Sequence, residues 1–340
     1  MRIDVIATKE LGGPEELVWR RYQAIEKTIA LPALSPGWAR CVGLARPDAR
    51  IAVIGDDAGR PEGFLPIQAG GRGFVEPLGS SLKLGSGLIG DPQLEWGATR
   101  WLADLRAKAM PFESVPDRQV EFARAARGEV TRMSAELYGG AGAYLEAKRR
   151  DDYDVLEMRA RRVEKIRAAL GRTRVKLFSC EGPDFTQTLY WSAGAYRQPQ
   201  EDWEIAALRA AFEHDGADGF GGALFTMHAD ETLIAGAFFL VGERVAQLAF
   251  YGESPEAEAF EPARVLIADA IAAFAARGLD EVDFGVIEGR LAREFATRRR
   301  QRLYGMIRPE GSKSGITAAL NPRVRRARRA GRDLGTMAGA

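Results

Sequence analysis

The side chains with chemical potential gather in one stretch, Val245–Pro309. Glu253 closes an apolar run that reads as a strand, and a carboxylate at a strand end can take a proton. Asp283 alternates with Val282 and Phe284 in a second short strand. Tyr251 and Tyr304 offer phenols. Arg264 falls in the first turn of the helix predicted from Pro262, where unpaired backbone N–H groups and the helix dipole favour an anion. Two arginine clusters follow, RRRQR at Arg298–Arg302 and RVRRARRAGR at Arg323–Arg332. Arg298 and Arg302 stand four apart, as do Arg325 and Arg329, which on a helix sets each pair on one face. Such pairs suit a phosphate-bearing ligand through the planar guanidinium fork. The bland reading is a solvated face and a basic tail.

These residues need elements to hold them. The stretch reads as strand Val245–Glu253, helix Pro262–Arg277 stopped by Gly278, strand Glu281–Gly285, helix Glu288–Arg300 and strand Arg302–Arg308. Upstream, strands are expected at Arg2–Ala7, Arg50–Gly55, Gly63–Gln68, Gly73–Leu78, Phe112–Val115 and Glu129–Ser134. Helices are expected at Pro14–Ala30, Pro36–Leu44, Glu95–Ala109 and Gln119–Arg127. Past a glycine break at Gly139–Gly142 come helices Tyr144–Lys148 and Tyr153–Leu170, strand Arg174–Ser179, helices Phe185–Tyr196 and Asp202–His214, and a meander Phe220–His228, Glu231–Val241. The order of elements in the second half repeats that of the first, without residue-level similarity. The reading is α/β, in two halves, 1–134 and 135–311, with an Arg-rich tail at 312–340.

Composition sets outer limits. The 340 residues are 46% hydrophobic and 28% charged, ordinary for a globular chain, and the net charge of +1 implies no global polyanion partner. From Gly285 to Ala340 there are fourteen Lys/Arg against four Asp/Glu, so the basic character is local. The arginine clusters lack interleaved aromatics, which argues against single-stranded nucleic acid, and no DNA partner is expected. Cys41 and Cys180 read as core thiols of a reducing compartment. With His214 and His228 they are too few for a His/Cys metal site. His228 is expected to be exposed beside a hairpin turn. No leader or membrane span is expected, and the location is expected to be cytoplasmic.

Several motifs give this order a name. GRPEGFLPIQ (Gly59–Gln68), RARRVEKIRAALGRTRVKL (Arg159–Leu177), Trp191 with Tyr196, and GLDEVDFG (Gly278–Gly285) resemble the cellulose-biosynthesis group of the GNAT acetyltransferase superfamily. Members of that group have two GNAT-like halves. The resemblance implies two fused GNAT-like domains, each a mixed, largely antiparallel sheet flanked by helices. It implies an acyltransferase using acetyl-CoA on a sugar or amino-sugar unit of an exported polysaccharide.

Under the resemblance, acyl-CoA would lie between Val245–Glu253 and Glu281–Gly285, with its pyrophosphate at Pro262, Ala263 and Arg264. Backbone near Phe250, Tyr251 and Gly252 would hold the oxyanion. Glu253 or Asp283 would be the base, and Tyr304 or Tyr251 would protonate the thiolate. The chain departs from the group at Glu261-Pro262-Ala263, in place of S-P-G. Leu291-Ala292 replace Y-K, and Ser192 and Ala195 replace Lys and Gln. Two alternatives stay open. One is a catalytically silent regulator reading a nucleotide such as cyclic di-GMP through Arg298, Arg302, Arg325 and Arg329. The other is an aminoacyl-tRNA-dependent transferase. The Arg-rich tail also suits peripheral association with an anionic membrane.

Overall fold

The computed structural model describes residues 1–192, 199, 201–286 and 290–311. The first part of the chain forms β1 (Arg2–Ala7), α1 (Gly13–Ile25), α2 (Pro36–Ala45), β2 (Arg50–Gly55), β3 (Pro61–Ala69), β4 (Val75–Pro77), β5 (Ile89–Gly90), α3 (Ala98–Asp104), β6 (Met110–Pro116), α4 (Val120–Arg124) and β7 (Ala126–Glu136). The second forms α5 (Gly140–Arg150), α6 (Val155–Leu170), β8 (Thr173–Ser179), α7 (Gly182–Trp191), α8 (Asp202–Phe212), β9 (Gly221–Ala229), β10 (Thr232–Val241), β11 (Val245–Glu253), α9 (Pro262–Ala276), β12 (Glu281–Gly285), α10 (Arg290–Phe295) and β13 (Arg298–Ile307).

Local chemistry sets many of these limits. Ser35 caps α2 by accepting from Trp38 N–H at 3.1 Å, with Pro36 in the first turn. Asp154 caps α6 through Leu156 N–H and Glu157 N–H, at 2.9 and 3.0 Å. Gly171, at φ 101°, ends that helix.

Two sheets result. One has the order β1-β2-β3-β4, with β5 also on β3; the other runs β6-β13-β7-β12-β11-β10-β9-β8. The larger sheet therefore takes strands from both sides of residue 134. Its β13 enters between β6 and β7, pairing Arg298 with Ser134 and Ile307 with Met110. The β11–β12 pair is parallel, and the other described pairs are antiparallel.

The apolar run of β10 is explained by its position, since both faces of the larger sheet are covered. On one face Phe225 and Phe239 stack edge-on against Phe274 of α9, at 5.3 and 5.1 Å. On the other, Phe185 of α7 meets Phe238 and Phe250, at 5.1 and 5.6 Å. Among the described residues no helix is long and apolar enough to cross a membrane.

Four sequence expectations fail here, one of them that of a core thiol at Cys180, which is exposed. The helix expected over Glu95–Ala109 is only Ala98–Asp104, bounded by left-handed Gly97 (φ 69°) and Arg106 (φ 52°). The helix expected to reach Arg300 stops at Phe295, and Arg298–Arg300 already belong to β13. Its expected start at Glu288 lies outside the described residues, as does Tyr196 at the expected end of α7. The arginines left the helix because pairing with β7 and β6 claims their backbone, and β7 and β12 supply carboxylates for their side chains. His228 is buried rather than exposed, with Nε2 3.3 Å from Asp184 Oδ2.

Candidate functional site

The parallel pair β11–β12 is short by design of its register. Val245, Ala246 and Gln247 pair with Glu281, Val282 and Asp283, and there the ladder stops. From that point β11 runs on to Glu253, so the two strands part into a fork. A bulge lies in β11, where Phe238 of β10 faces Phe250 but Phe239 faces Leu248, leaving Ala249 extra.

The first half of the chain closes the base of this fork. Gln247, fully buried, accepts from Ala33 N–H at 3.3 Å and donates to the Leu84 carbonyl. Asp283, also fully buried, forms a bidentate pair with Arg132, both contacts 2.6 Å. Arg132 also donates to Ser114 Oγ at 3.0 Å and Leu84 O at 2.9 Å. Asp283 Oδ1 further accepts from Gly285 N–H at 2.9 Å. Asp283 is thus a structural carboxylate, with both its oxygens held by Arg132. It also stands six residues of β11 below Glu253, about 20 Å at the rise of a strand, so the two carboxylates do not share a site.

Glu253 sits at the mouth. Its Oε1 accepts from Ala263 N–H at 2.7 Å. Burial pushes its carboxyl up to about 7; the bond from Ala263 opposes this, Glu261 adds to it, Arg264 opposes it and Glu258 adds to it. Tyr251, two residues earlier, packs against the core beneath α9. Burial, with help from Glu253, raises its phenol pKa.

Phe250 and Gly252 take the other face, toward α7. A Cβ on Gly252 would lie 2.6 Å from the Thr188 carbonyl oxygen and 3.0 Å from Ser192 N. Since both obstacles are backbone, Gly252→Ala is expected to cost about 1–3 kcal/mol, measurable as a lowered urea midpoint.

The start of α9 is crowded with carboxylates. Pro262 has no N–H to offer, Ala263 N–H is taken by Glu253, and Arg264 N–H goes to Glu261 O at 3.1 Å. The Arg264 guanidinium is paired with Glu261 at 2.8 Å and Glu294 at 2.7 Å. Glu261, left-handed at φ 54°, also holds Arg162 at 2.6 Å. The expected anion position at Pro262, Ala263 and Arg264 is brought together, but its donors are already engaged. The diphosphate end of an acyl-CoA does not fit this helix start as it stands.

The remaining residues separate. Tyr304 lies on β13, three strand spacings from β11, or about 14 Å at least. Its ring packs on Gly128, where a Cβ would meet the hydroxyl at 2.7 Å. Arg298 and Arg302 are not four apart on a helix face; they stand on one strand, where alternate side chains share a face. Arg298 pairs with Glu136. Arg302 is buried and donates to Thr28 O at 3.0 Å, and burial, reinforced by Arg132, lowers its pKa to about 10. Arg325 and Arg329 lie outside the described residues. Arg132 and Gln247 carry the base of the fork and were not singled out in the sequence. An Arg alternating with Glu129 and Thr131 in a strand gives no sign of its burial.

With this geometry in hand, the likenesses to known proteins can be placed. Residues 156–304 match the acetyltransferase (GNAT) domain family, a span from α6 into β13 that includes the whole fork. The structure of FemX is similar over 90% of this chain and 96% of that one, with 13% identity and a TM-score of 0.53. A tandem GNAT protein from the clavulanic acid biosynthesis pathway is similar over 92% and 100%, with 12% identity and a TM-score of 0.51. The C-terminal domain of a putative lysylphosphatidylglycerol synthetase from Agrobacterium fabrum is similar over 86% and 93%, with 11% identity and a TM-score of 0.52. Identities this low speak for the fold. Residues 156–304 are thus similar to a GNAT acetyltransferase domain, and the fold is α/β with mixed sheets flanked by helices, like that of GNAT-like acyltransferases.

Proposed function

We propose that the protein transfers an acyl group to an amine or hydroxyl at the mouth of the β11–β12 fork, with Glu253 as general base. The observation that carries this reading is a half-buried carboxyl, raised to about 7, at the open end of the parting strands. Such a group is largely ionised just above neutrality and still basic enough to accept a proton in the transition state. Oε1 stays on Ala263 N–H, leaving Oε2 to take the acceptor's proton as its nitrogen or oxygen bonds to the acyl carbon. The bond from that carbon to the donor's sulfur or oxygen then breaks. The Tyr251 phenol, kept protonated by burial, supplies the leaving atom's proton.

The acceptor is assigned as an amino-sugar or sugar unit of an exported polysaccharide on the motif resemblance alone. Acetyl-CoA is the first donor to test. One structure of like fold bears the name of a putative lysylphosphatidylglycerol synthetase, so aminoacyl esters belong in the same assay. The test offers acetyl-CoA, S-acetylpantetheine and an aminoacyl ester with glucosamine and reads the product by mass spectrometry. Product from at least one donor, formed about 10²–10⁴-fold more slowly with Glu253→Gln, is the expected result. No product from any of them removes the enzymatic reading and leaves a GNAT-fold binding protein.

A further inference from the structure

The start of α9 has the equipment of an anion site. It offers the N-terminal end of a 15-residue helix and two guanidiniums, Arg162 and Arg264. Two carboxylates from the chain itself already fill it. Glu253 takes Ala263 N–H at 2.7 Å. Glu261 lies between the guanidiniums, 2.6 Å from Arg162 and 2.8 Å from Arg264.

The conformation of Glu261 supports this. At φ 54° it is a non-glycine residue in the left-handed region, which costs free energy and persists only where the surroundings hold it. The two arginines help hold it, together with backbone bonds from Glu261 N–H to Glu258 O and from Arg264 N–H to Glu261 O, both 3.1 Å. A diphosphate entering here would have to displace both carboxylates from their donors, with Glu258 close enough to act on Glu253 as a further like charge.

We infer that Glu253 and Glu261 occupy the anion position at the start of α9 as internal substitutes for phosphate, so that the acyl donor is one presenting no diphosphate there. This rests on the acyl-transfer reading for the identity of the ligand, and deepens it by setting the donor class. The arm of the donor still has the fork. Its charged end, if it has one, is directed elsewhere.

Calorimetry with two probes tests this: CoA, and S-acetylpantetheine, which has the same arm without phosphates. The wild-type chain should bind CoA no tighter than S-acetylpantetheine. Glu261→Gly removes the carboxylate, relieves the left-handed strain, releases Arg162 and leaves Arg264 paired with Glu294 only. It should tighten CoA binding by about tenfold or more, with S-acetylpantetheine unchanged. Glu253→Gln keeps an acceptor for Ala263 N–H while removing the charge, and should move CoA in the same direction, with urea melts confirming that both variants fold.

A wild-type preference for CoA of about tenfold or more overturns the inference. So does an unchanged CoA affinity in both folded variants. Should the affinities follow the expected pattern while no donor supports turnover, the acyl-transfer reading falls and the self-occupied anion position stands. Turnover with acetyl-CoA alongside a wild-type preference for CoA gives the reverse.

Discussion

Asp283→Ala is expected to lower the unfolding free energy by about 3–5 kcal/mol, because it leaves a buried charge without its partner. The measurement is the urea midpoint at constant slope. Arg132 is 2% exposed and points both its outer nitrogens inward, so water cannot take over from the lost carboxylate. The damage should spread to the fork, since the Leu84 carbonyl accepts from both Arg132 and Gln247. Replacing both partners, Asp283→Leu with Arg132→Met, should recover much of the loss, because an apolar pair of similar volume avoids the desolvation of two ions. The Arg298–Glu136 pair gives the contrast. Its side chains are 44% and 33% exposed, so Glu136→Ala should cost no more than about 1 kcal/mol. If Asp283→Ala costs as little as that, the buried pair is not what closes the base of the fork.

The same pair marks the boundary of what the sequence makes legible. β11 and β12 have the limits that their apolar runs and turn residues indicate, Val245–Glu253 and Glu281–Gly285, and α9 ends one residue before the expected Arg277. Local signals were sufficient there: alternation, Pro262 in the first turn, Gly278 at φ 78° after the last. Asp283 is visible in the sequence as an acid between apolar residues of a short strand, but its partner lies 151 residues away, and no local pattern encodes that distance. β13 misled for the opposite reason. Arg298, Arg300 and Arg302 fit a charged helix as well as a strand, and the decision came from β6 and β7 on either side. The departure at Glu261-Pro262-Ala263 could be read directly. That Glu261 would turn left-handed and lie between two arginines could not.

Glu253→Gln should separate catalysis from stability by moving them in opposite directions. As the base, Glu253 contributes about 10²–10⁴-fold to the rate, so kcat should fall by that factor. The wild-type rate should rise with pH through about 7, the raised value of the carboxyl, and the variant's residual rate should lose that inflection. Stability follows from the same shift. The folded-state pKa lies above the ordinary value of 4.5, so folding favours the protonated acid. The stability this provides is complete below the unfolded pKa and is lost as pH rises through the folded one. Glutamine stays neutral throughout and keeps an oxygen for Ala263 N–H. At pH 8 the variant should therefore be more stable than the wild type, by about 1–3 kcal/mol after allowance for partial exposure. Near pH 4.5 the difference should vanish. A residue that served only to cap α9 would show no such gain at pH 8, because its charged carboxylate would be the better cap for a helix start. A variant less stable at pH 8 and unimpaired in turnover would assign Glu253 to the helix and return the base to another group.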